Sequence, residues 1–568
     1  MGRRHPGHPR RTVRIDYTAD LWWKNAVFYC LDVETFMDGN GDGCGDFAGL
    51  THQIDYLASL GVTCLWLMPF YPTPNLDDGY DISDYYGVDP RLGTLGDFVE
   101  FVRTAHDRGM RVIIDLVANH TSDQHPWFQA ARTDPKSRYR DYYVWRKRKP
   151  PEPPGSVAFP GEETSIWQYD RKAGAYYLHH FYRFQPDLNI ANPDLRDEIA
   201  KMMGFWLHQG ISGFRVDAVP AFIEVENPSE AAGFDPQDYL RQLRAFMTRR
   251  NAEAMWIGEA NVDPGSERQF LGAGKGDELN MLFNFIVMQA TYLSLARGSA
   301  EPLEDALRSL PKIPVDTQWA NFLRIHDELT LDKLTISQRD EVFAAFGPDP
   351  RMQLYGHGLR RRVAPMVDGD QRRLRMLFSL AFSLPGTPVL FYGDEIGMGE
   401  NLSLHDRLSV RTPMQWTPEP NAGFTTAPAS RLVRPLADGK FGPRRVNVTD
   451  QHHDPDSQLA FMRRLIHLRR ETPELGWGTW QLIETRAESL FMHRCDWQES
   501  TVIAAHNLGP RRVEARLSAQ DLGDVEAIDD LFEGRVERPR ADGSYRVALQ
   551  GFGYRWLRLR RRGQRPRF

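Results

Sequence analysis

Three acidic residues stand where short apolar runs of the chain end. Asp217 ends G-F-R-V-D, Glu259 ends W-I-G-E, and Asp327 ends L-R-I-H-D. If these runs are parallel strands of one closed barrel, their ends meet at a single rim and bring the three carboxylates together. Crowded carboxylates repel one another and are costly to desolvate, an arrangement suited to stabilising a carbocation-like sugar and protonating its leaving oxygen.

A simpler interpretation exists for each of these residues. Asp and Glu directly after a strand often cap the helix that follows, and such a cap needs no chemistry. Three such positions, with Arg215 beside one and His326 beside another, favour a shared site over unrelated caps.

A second group of oxygen-bearing residues alternates with glycine between residues 38 and 46. Oxygen ligands at every second position, in a chain that can wrap tightly, are typical of a site for a hard cation such as Ca²⁺. The glutamate that ends an EF-hand loop is missing, and a metal-free Asx-turn is the alternative. The predicted ligands are Asp38, Asn40, Asp42, the carbonyl of Cys44, and Asp46.

The elements that must position these residues follow from the hydrophobic pattern. From Trp22 onward, short apolar runs alternate with amphipathic helical stretches, which is typical of βα units around a parallel sheet. Eight such runs are enough to close a (β/α)₈ barrel. The candidate strands are 26–31, 64–68, 112–117, 213–216, 254–257, 281–285, 321–323 and 389–392.

The alternation fails in two places, which predicts additional domains. Residues 119–187 are rich in Pro, Arg, Tyr and Trp and are predicted to form an inserted domain B after the third strand. Residues 476–562 show short alternating strands and predict a C-terminal antiparallel β-sandwich. The barrel then comprises 21–118 and 188–475, and residues 1–20 and 563–568 are predicted to be disordered basic tails.

Composition argues against several partners. The net charge of -6 gives no reason to expect nucleic acid, and the most apolar stretch is interrupted by Pro385, Gly386 and Pro388, which argues against a membrane span. Four cysteines are too few for a disulfide framework, so we expect a cytoplasmic protein. A small neutral substrate is the partner that agrees best with this net charge. The sequence does not indicate an oligomeric state.

Four blocks of the sequence resemble glycoside hydrolase family 13, the α-amylase superfamily. They are 115–120 (D-L-V-A-N-H), 213–217 (G-F-R-V-D), 258–261 (G-E-A-N) and His326-Asp327, in the order that the family has them. The resemblance implies the same architecture that the hydrophobic pattern predicts. It also implies a structural Ca²⁺ and no organic cofactor.

The resemblance implies a role for each of the three carboxylates. Asp217 would be the nucleophile, Glu259 the general acid and base, and Asp327 the residue that grips the 2- and 3-hydroxyls of the sugar. Retention of configuration would follow, because a nucleophile about 5 to 5.5 Å from the acid leaves no room for an inverting water. Arg215, two residues before Asp217, would keep the nucleophile ionised.

Further residues are implied around the sugar and at a second ion. The block 77–81 (D-D-G-Y-D) resembles the one that closes the first glucose site in exo-acting members. The implied substrate-binding residues are Asp77, Tyr80, His120, Arg215, His326 and Arg407. An ion at Asn119, Asp187 and Glu224 would tie domain B to the barrel.

Some strings resemble the maltose α-D-glucosyltransferase branch of this family, most specifically 326–331 (H-D-E-L-T-L) and 348–352 (P-D-P-R-M). That branch implies intramolecular isomerisation of maltose to trehalose with minor hydrolysis. Ile325, Leu408 and Ser409 depart from the pattern, so an exo-acting α-glucosidase or another glucosyltransferase is the alternative. A non-catalytic carbohydrate-binding protein is an alternative of another class, although it would not need all three carboxylates.

Overall fold

Eight parallel strands close into a barrel, as the hydrophobic pattern predicts. The computed structural model describes residues 21–225, 233–518, 522, 525–561 and 563. Each strand pairs with the next in the chain, and the eighth returns to the first. The strands are almost wholly buried, because helices cover the barrel outside and side chains fill it inside. They are Phe28–Leu31, Cys64–Leu67, Arg111–Leu116, Gly213–Val216, Met255–Gly258, Met281–Phe283, Gln318–Phe322 and Thr387–Phe391.

Amphipathic helices form the outer layer of the barrel. In the helix Leu95–Asp107, Thr94 and Asp97 make a capping box, and the apolar residues at helical spacing face the barrel. The main barrel helices are Phe47–His52, Ile54–Leu60, Leu95–Asp107, Pro193–His208, Pro236–Arg250, Phe285–Arg297, Glu301–Ser309, Ile336–Phe346, Gln371–Ser383 and Gln458–Arg470. Shorter helices are Val33–Phe36, Val219–Phe222, Val363–Met366, Val448–His452 and Glu474–Trp477.

The segment between the third and fourth barrel strands forms a small unit of its own. It contains the helix Pro126–Thr133 and an antiparallel sheet of Trp145–Arg146, Ala175–Leu178 and Trp167–Asp170. The two chain paths that connect it to the barrel pair with each other, since His120 and Asp187 form an isolated β-bridge. The unit is therefore held at a narrow neck above the carboxyl ends of the strands.

Two antiparallel sheets follow the barrel. One has six strands, and its side chains are buried on both faces: Leu490 and Met492 join the core between the sheets, while Phe491 and Cys495 pack on the barrel. This alternation is the period-2 pattern of a strand between two apolar layers. The six-stranded sheet contains Thr479–Leu482, Leu490–Trp497, Ser500–Asn507, Tyr554–Arg560, Ala527–Asp530 and Val536–Glu537, and the smaller sheet contains Val513–Leu517 and Tyr545–Leu549.

The seventh barrel strand differs from the expectation. It ends at Phe322, so Asp327 does not follow a strand directly but lies in the loop beyond it, with a three-stranded sheet of Leu329–Thr330, Gly358–Leu359 and Gln353–Leu354 after it. Within the described residues, no helix has the length and apolar character needed to cross a membrane. The predicted tail 1–20 lies outside the described residues, as does 563–568 apart from residue 563.

Candidate active site

A single guanidinium lies between the carboxylates that the sequence predicted to converge. Arg215 donates from Nη1 to Asp217 Oδ1 at 2.6 Å and from Nη2 to Glu259 Oε2, and its Nη2 lies 3.8 Å from Asp327 Oδ2. The Arg215 side chain is completely buried. Because the two terminal nitrogens of one guanidinium contact Asp217 and Glu259, these two carboxylates lie side by side at the barrel rim.

Strand register explains how Arg215 is held. On the third strand, Asp115 is in register with Arg215 of the fourth strand, and its Oδ1 accepts from Arg215 Nη1 at 2.5 Å. The guanidinium carbon also lies 5.3 Å from the centroid of the Trp66 ring, a cation–π geometry. A charge at this depth is tolerated only when it is paired and bonded, and here carboxylates accept from both terminal nitrogens, whereas Nε has no hydrogen-bond partner within the described residues.

The turn after Asp217 carries backbone strain. Ala218 has φ 40° and ψ 54°, the left-handed region that a residue with a side chain rarely adopts. This conformation starts the short helix Val219–Phe222, whose first N–H donates to the Glu259 carbonyl at 2.9 Å. The turn thereby ties the segments that carry Asp217 and Glu259 to each other.

Glu259 and Asp327 have pKa values shifted in opposite directions. Burial raises the pKa of Glu259 to about 8, and the charges of Asp217 and Asp327 add to this rise against the opposing effect of Arg215. Burial also acts to raise the pKa of Asp327, but His326, Arg407, Arg411 and Arg215 outweigh it and hold that pKa well below its usual range. At neutral pH, Glu259 is therefore a proton donor and Asp327 a carboxylate.

Asp327 is anchored from three sides. Arg407 donates to its Oδ1 at 2.9 Å and Arg411 to the same oxygen at 3.1 Å, while His326 Nε2 lies 3.0 Å from its Oδ2. The Tyr80 hydroxyl is 2.5 Å from the same His326 nitrogen. The loop beyond the seventh strand is thus fixed by side-chain contacts.

A cavity of about 350 Å³ opens onto these carboxylates. Seven of the residues predicted for catalysis and substrate binding line it, while Arg215 and His326 lie in the layer beneath. Ile325, which departs from the family pattern, also lines it. The seven are Asp77, Tyr80, His120, Asp217, Glu259, Asp327 and Arg407.

Asp77 and Arg407 form an ion pair at one side of the cavity. The guanidinium of Arg407 donates to Asp77 Oδ1 at 2.6 Å, and the Gln185 amide donates to Asp77 Oδ2 at 2.9 Å. Burial raises the pKa of Asp77 to about 6, against the lowering effect of Arg407 and Arg411. His120 is also in place, with Nε2 3.2 Å from the Tyr80 carbonyl.

The loop predicted to bind calcium forms a tight turn of backbone hydrogen bonds. Asp38 accepts the N–H groups of Asn40, Gly41 and Gly43, and Asp46 accepts those of Gly39, Asn40 and Gly49. Asn40 and Asp42 each use one oxygen to accept an N–H two residues on, the latter from Cys44. The side-chain donors are all oxygen, which is the kind of ligand that a hard cation needs, but both oxygens of Asp38 and of Asp46 already accept backbone N–H groups, and these bonds make an Asx-turn.

The second predicted ion site has an imidazole at its centre. His180 forms an ion pair with Asp187 through Nδ1, and its Nε2 lies 3.4 Å from Glu224 Oε2. The Asn119 amide donates to Asp187 Oδ1 at 3.3 Å and so presents its nitrogen rather than its oxygen. A cation joining these residues would have to displace the imidazole, and this site stays a prediction from the sequence.

The structure also adds charged residues to which the sequence assigned no role. Besides Asp115, Arg411 joins the pocket to a second buried group, since it bonds both Asp327 and Asp78, the latter at 2.8 Å. We call the second group the Arg434 cluster; it consists of Arg434, Asp32, Glu34 and Asp78. The register of the third and fourth strands could have predicted that Asp115 lies beside Arg215. Arg411 and Arg434 lie in irregular segments, where no strand register predicts their partners.

Comparisons with known proteins agree with this geometry. A family model described as the α-amylase catalytic domain matches residues 33–341 and 351–478. The trehalose synthase of Pimelobacter sp. is 39% identical over 559 residues, covering 95% of this chain and 96% of that protein. An α-glucosidase of Pediococcus pentosaceus is 33% identical over 513 residues, covering 81% of this chain and 88% of that protein.

A solved structure resembles the whole chain. The isomaltulose synthase PalI from Klebsiella sp. LX3 superimposes with a TM-score of 0.75 at 28% sequence identity, covering 95% of this chain and 99% of that one. The barrel, the inserted unit and the C-terminal sheets are therefore one shared architecture.

Proposed function

This chain belongs to the α-amylase catalytic-domain family of glycoside hydrolase family 13, and from that premise we propose that it isomerises maltose to trehalose with minor hydrolysis. One observation carries the chemistry: Asp217 and Glu259 share one buried guanidinium at the edge of a cavity, and Glu259 holds a proton at neutral pH. The relative called a trehalose synthase supports the choice of reaction.

In the proposed first step, Glu259 gives its proton to the glycosidic oxygen while Asp217 attacks the anomeric carbon. The bond to the leaving glucose breaks, and a glucosyl ester of Asp217 forms with inverted configuration. Arg215 favours this step because it stabilises Asp217 as an anion before attack. Glu259 is left as a carboxylate and is ready to act as a base.

In the second step, the anomeric hydroxyl of the freed glucose attacks the anomeric carbon of the glucosyl ester. Glu259 takes the proton of that hydroxyl as the new bond forms. Asp217 leaves as a carboxylate, and the second inversion restores the α-configuration in trehalose. If water attacks instead, the products are two glucose molecules. The same residues therefore perform transfer or hydrolysis, and the identity of the nucleophile decides which.

Substrate positioning is assigned to the charged rim of the cavity. Asp327, ionised and bonded to two arginines, would accept hydrogen bonds from two sugar hydroxyls, and Asp77 would accept those of the terminal hydroxyls. Tyr80 would present a ring face to the sugar, and His120 would bond a hydroxyl. A glucose held in this way has a large effective concentration against water.

Hydrolysis is the second candidate function, because an α-glucosidase is also similar over most of this chain. Both activities use the same three carboxylates, so only the products separate them. The test is incubation of purified enzyme with maltose, followed by separate measurement of glucose and disaccharides. Trehalose formed at nearly constant total disaccharide supports the isomerase, and glucose as the only product contradicts it.

We also propose a structural Ca²⁺ at the loop 38–46. Its support is the oxygen donor at each alternate position and the left-handed glycines Gly41 and Gly43, which let the chain wrap. Asp38 also accepts a hydrogen bond from Thr425 of the segment after the eighth strand. An ion here would stabilise the attachment of that segment and takes no part in the chemistry.

A further inference from the structure

Three distant segments of the chain meet at the carboxylate of Asp406. The hydroxyl of Tyr182, from the inserted domain, donates to Asp406 Oδ2 at 2.7 Å. The hydroxyl of Tyr355, from the loop between the seventh and eighth barrel strands, lies 2.6 Å from both oxygens of Asp406. The two tyrosine hydroxyls are 3.2 Å apart, so one carboxylate joins both.

An aromatic ring packs between these groups and the pocket. The Phe159 ring lies 4.7 Å from the Tyr182 ring and 4.8 Å from the Tyr355 ring, measured between centroids. The guanidinium of Arg407 sits 5.0 Å from the centroid of Phe159. We call Phe159, Tyr182, Tyr355 and Asp406 the Asp406 clasp.

Asp406 adopts a backbone conformation that its neighbours must maintain. Its φ is 53°, in the left-handed region, which costs energy for a residue with a side chain and persists where the surroundings over-determine it. The next residue is Arg407, which bonds Asp77 and Asp327. The bonds to Asp406 therefore fix the direction in which the chain enters Arg407.

Arg407 lies in a wall between two cavities. Among the described residues, the pocket of about 350 Å³ that holds the carboxylates and an outer cavity of about 510 Å³ have only Asp77 and Arg407 in common as lining residues. Tyr182 and Asp406 line the outer cavity, and Phe159 lines the inner one. The Asp77–Arg407 ion pair is thus the partition, with Tyr182 and Asp406 of the clasp on its outer side and Phe159 on its inner side.

We propose that Asp406 is a positioning residue that sets the ratio of glucosyl transfer to hydrolysis. The clasp holds Arg407 in the partition and the inserted domain against the barrel loop, and so keeps water of the outer cavity away from the glucosyl ester. The proposal rests on the isomerase function proposed above and assigns its water exclusion to particular residues.

Two nucleophiles compete for the glucosyl ester of Asp217, namely the freed glucose and water. In transfer, the bond between the anomeric carbon and Asp217 breaks as the glucose oxygen bonds that carbon, and the proton of the glucose hydroxyl passes to Glu259. In hydrolysis, the oxygen of water bonds the anomeric carbon instead, the bond from that carbon to Asp217 breaks in the same way, and one proton of the water passes to Glu259. Loosening the partition raises the supply of water and lets glucose escape, which changes the product ratio without removing any group that reacts.

The experiment measures glucose released per trehalose formed from maltose. The variants are Tyr182→Phe, Tyr355→Phe, the double variant, Asp406→Ala and Asp406→Asn. Losing one hydroxyl bond is expected to raise the ratio by about three-fold or more, as one hydrogen bond changes an opening equilibrium by about that factor. The double variant and Asp406→Ala both remove the bonds between the hydroxyls and the carboxylate, so each should raise the ratio more than either single tyrosine variant does. Asp406→Asn keeps one acceptor oxygen and should fall between Asp406→Ala and wild type.

A matched control is Tyr176→Phe, which removes a hydroxyl from the sheet of the same inserted domain, where its ring packs on Tyr169. It should leave the product ratio at the wild-type value. The ratio does not depend on the fraction of enzyme that is folded, so a stability defect alone does not move it.

Two results overturn the inference. Clasp variants that make trehalose and glucose in the wild-type ratio, whatever their total rate, show that the contacts are only structural. A wild-type enzyme that makes no trehalose refutes the proposed function and the inference with it. The two results can be told apart, because an absence of trehalose is seen in the wild-type enzyme, whereas an unchanged product ratio is seen in the variants of the clasp.

Discussion

Two buried groups of carboxylates lie next to each other at the carboxyl end of the barrel, and each surrounds one arginine. Around Arg215 are Asp115, Asp217 and Glu259, while around Arg434 are Asp32, Glu34 and Asp78. By residue type the two groups are nearly the same. They differ in the number of additional cations and in the cavity that they line.

The Arg434 cluster is supplied with further partners. Arg91 also pairs with Glu34, Arg411 also pairs with Asp78, and Asp32 accepts from the Glu34 N–H and the Thr35 hydroxyl as a helix cap. Burial acts to raise the pKa of Asp78, but Arg434 and Arg411 outweigh it and keep that carboxyl ionised. Burial raises the pKa of Asp32 in the same cluster to about 7. The Arg434 cluster therefore connects the loop after the first barrel strand, which carries Asp32 and Glu34, to the segments that carry Asp78 and Arg434.

The Arg215 cluster has a deficit of positive charge. Asp115, Asp217 and Glu259 share one guanidinium. Burial raises the pKa of Asp115 to about 7 and that of Glu259 to about 8, so Glu259 holds a proton more firmly, and its carboxyl and that of Asp217 line the cavity. Crowded carboxylates therefore do not by themselves mark a reactive centre. Both clusters line a cavity, since Glu34, Asp78 and Arg434 line the one of about 510 Å³. The difference is the shortage of cations around Arg215, which leaves Glu259 as an acid beside the carboxylate of Asp217.

The largest expected effect that separates the two clusters comes from Asp217→Ala. Turnover of maltose should fall by at least about 10⁴-fold, because the covalent intermediate loses its nucleophile. The melting temperature should stay near that of the wild type, since the change removes one negative charge from the Arg215 cluster, in which carboxylates outnumber the guanidinium that they share. Steady-state kinetics and thermal unfolding measure both; turnover near the wild-type rate would show that Asp217 is not the nucleophile.

Glu259→Gln should have the next largest effect, a fall of about 10² to 10⁴-fold in kcat on maltose. The loss should be much smaller on a glucosyl donor whose leaving group needs no proton, such as α-glucosyl fluoride. In the wild type, kcat/KM for maltose should decline as pH rises through about 8, because the acid form of Glu259 is lost there. An alkaline limb that persists unchanged in the variant contradicts this assignment.

Asp78→Ala tests the other cluster, where stability should change more than chemistry. Removing one partner of a buried charge network should lower the free energy of unfolding by about 3 to 5 kcal/mol, because Arg434 loses a partner that water does not replace. The depressed pKa of Asp78 means that its contribution is present at neutral pH and is lost as pH falls through the acid range. Chemical unfolding at pH 7 and at acid pH measures both effects.

Asp368→Asn is the control for that experiment. It removes the charge of a surface pair with Lys440, in which the Asp368 side chain is largely exposed, and should change stability little, because Asn tolerates the left-handed backbone at this position. If the Asp78 and Asp368 variants unfold alike, the Arg434 cluster does not stabilise the fold in the way described. If Asp78→Ala stops turnover as completely as Asp217→Ala does, the distinction between the clusters fails.

The smallest effect concerns the carboxylates of the loop 38–46, a third acidic group. Calcium at a hundred times its dissociation constant should stabilise the protein by about 2.7 kcal/mol, seen as a higher melting temperature than in EDTA. Asp42→Ala should abolish that difference, whereas Mg²⁺ should not replace Ca²⁺, because it demands a tighter octahedral shell. Identical melting in EDTA and in calcium would favour the metal-free Asx-turn.

Much of the architecture was predictable because it depends on local pattern. Runs such as 64–68 and 213–216 are apolar, short and followed by amphipathic helices, and a parallel barrel is the arrangement that buries them on both faces. The convergence of Asp217 and Glu259 follows from that topology, since both residues directly follow adjacent strands. Asp327 was harder, because the loop after Phe322 follows no period.

Residue types and their order determined the barrel, the rim on which the carboxylates stand and the family to which the chain belongs. Tertiary structure alone decided which arginine meets which acid, that Asp115 lies beneath Arg215, and that Asp406 joins two tyrosines separated from it and from each other along the chain. The physical reason is range: hydrophobic periodicity acts over a few residues, whereas charge pairing depends on through-space distance and burial that only the closed fold establishes.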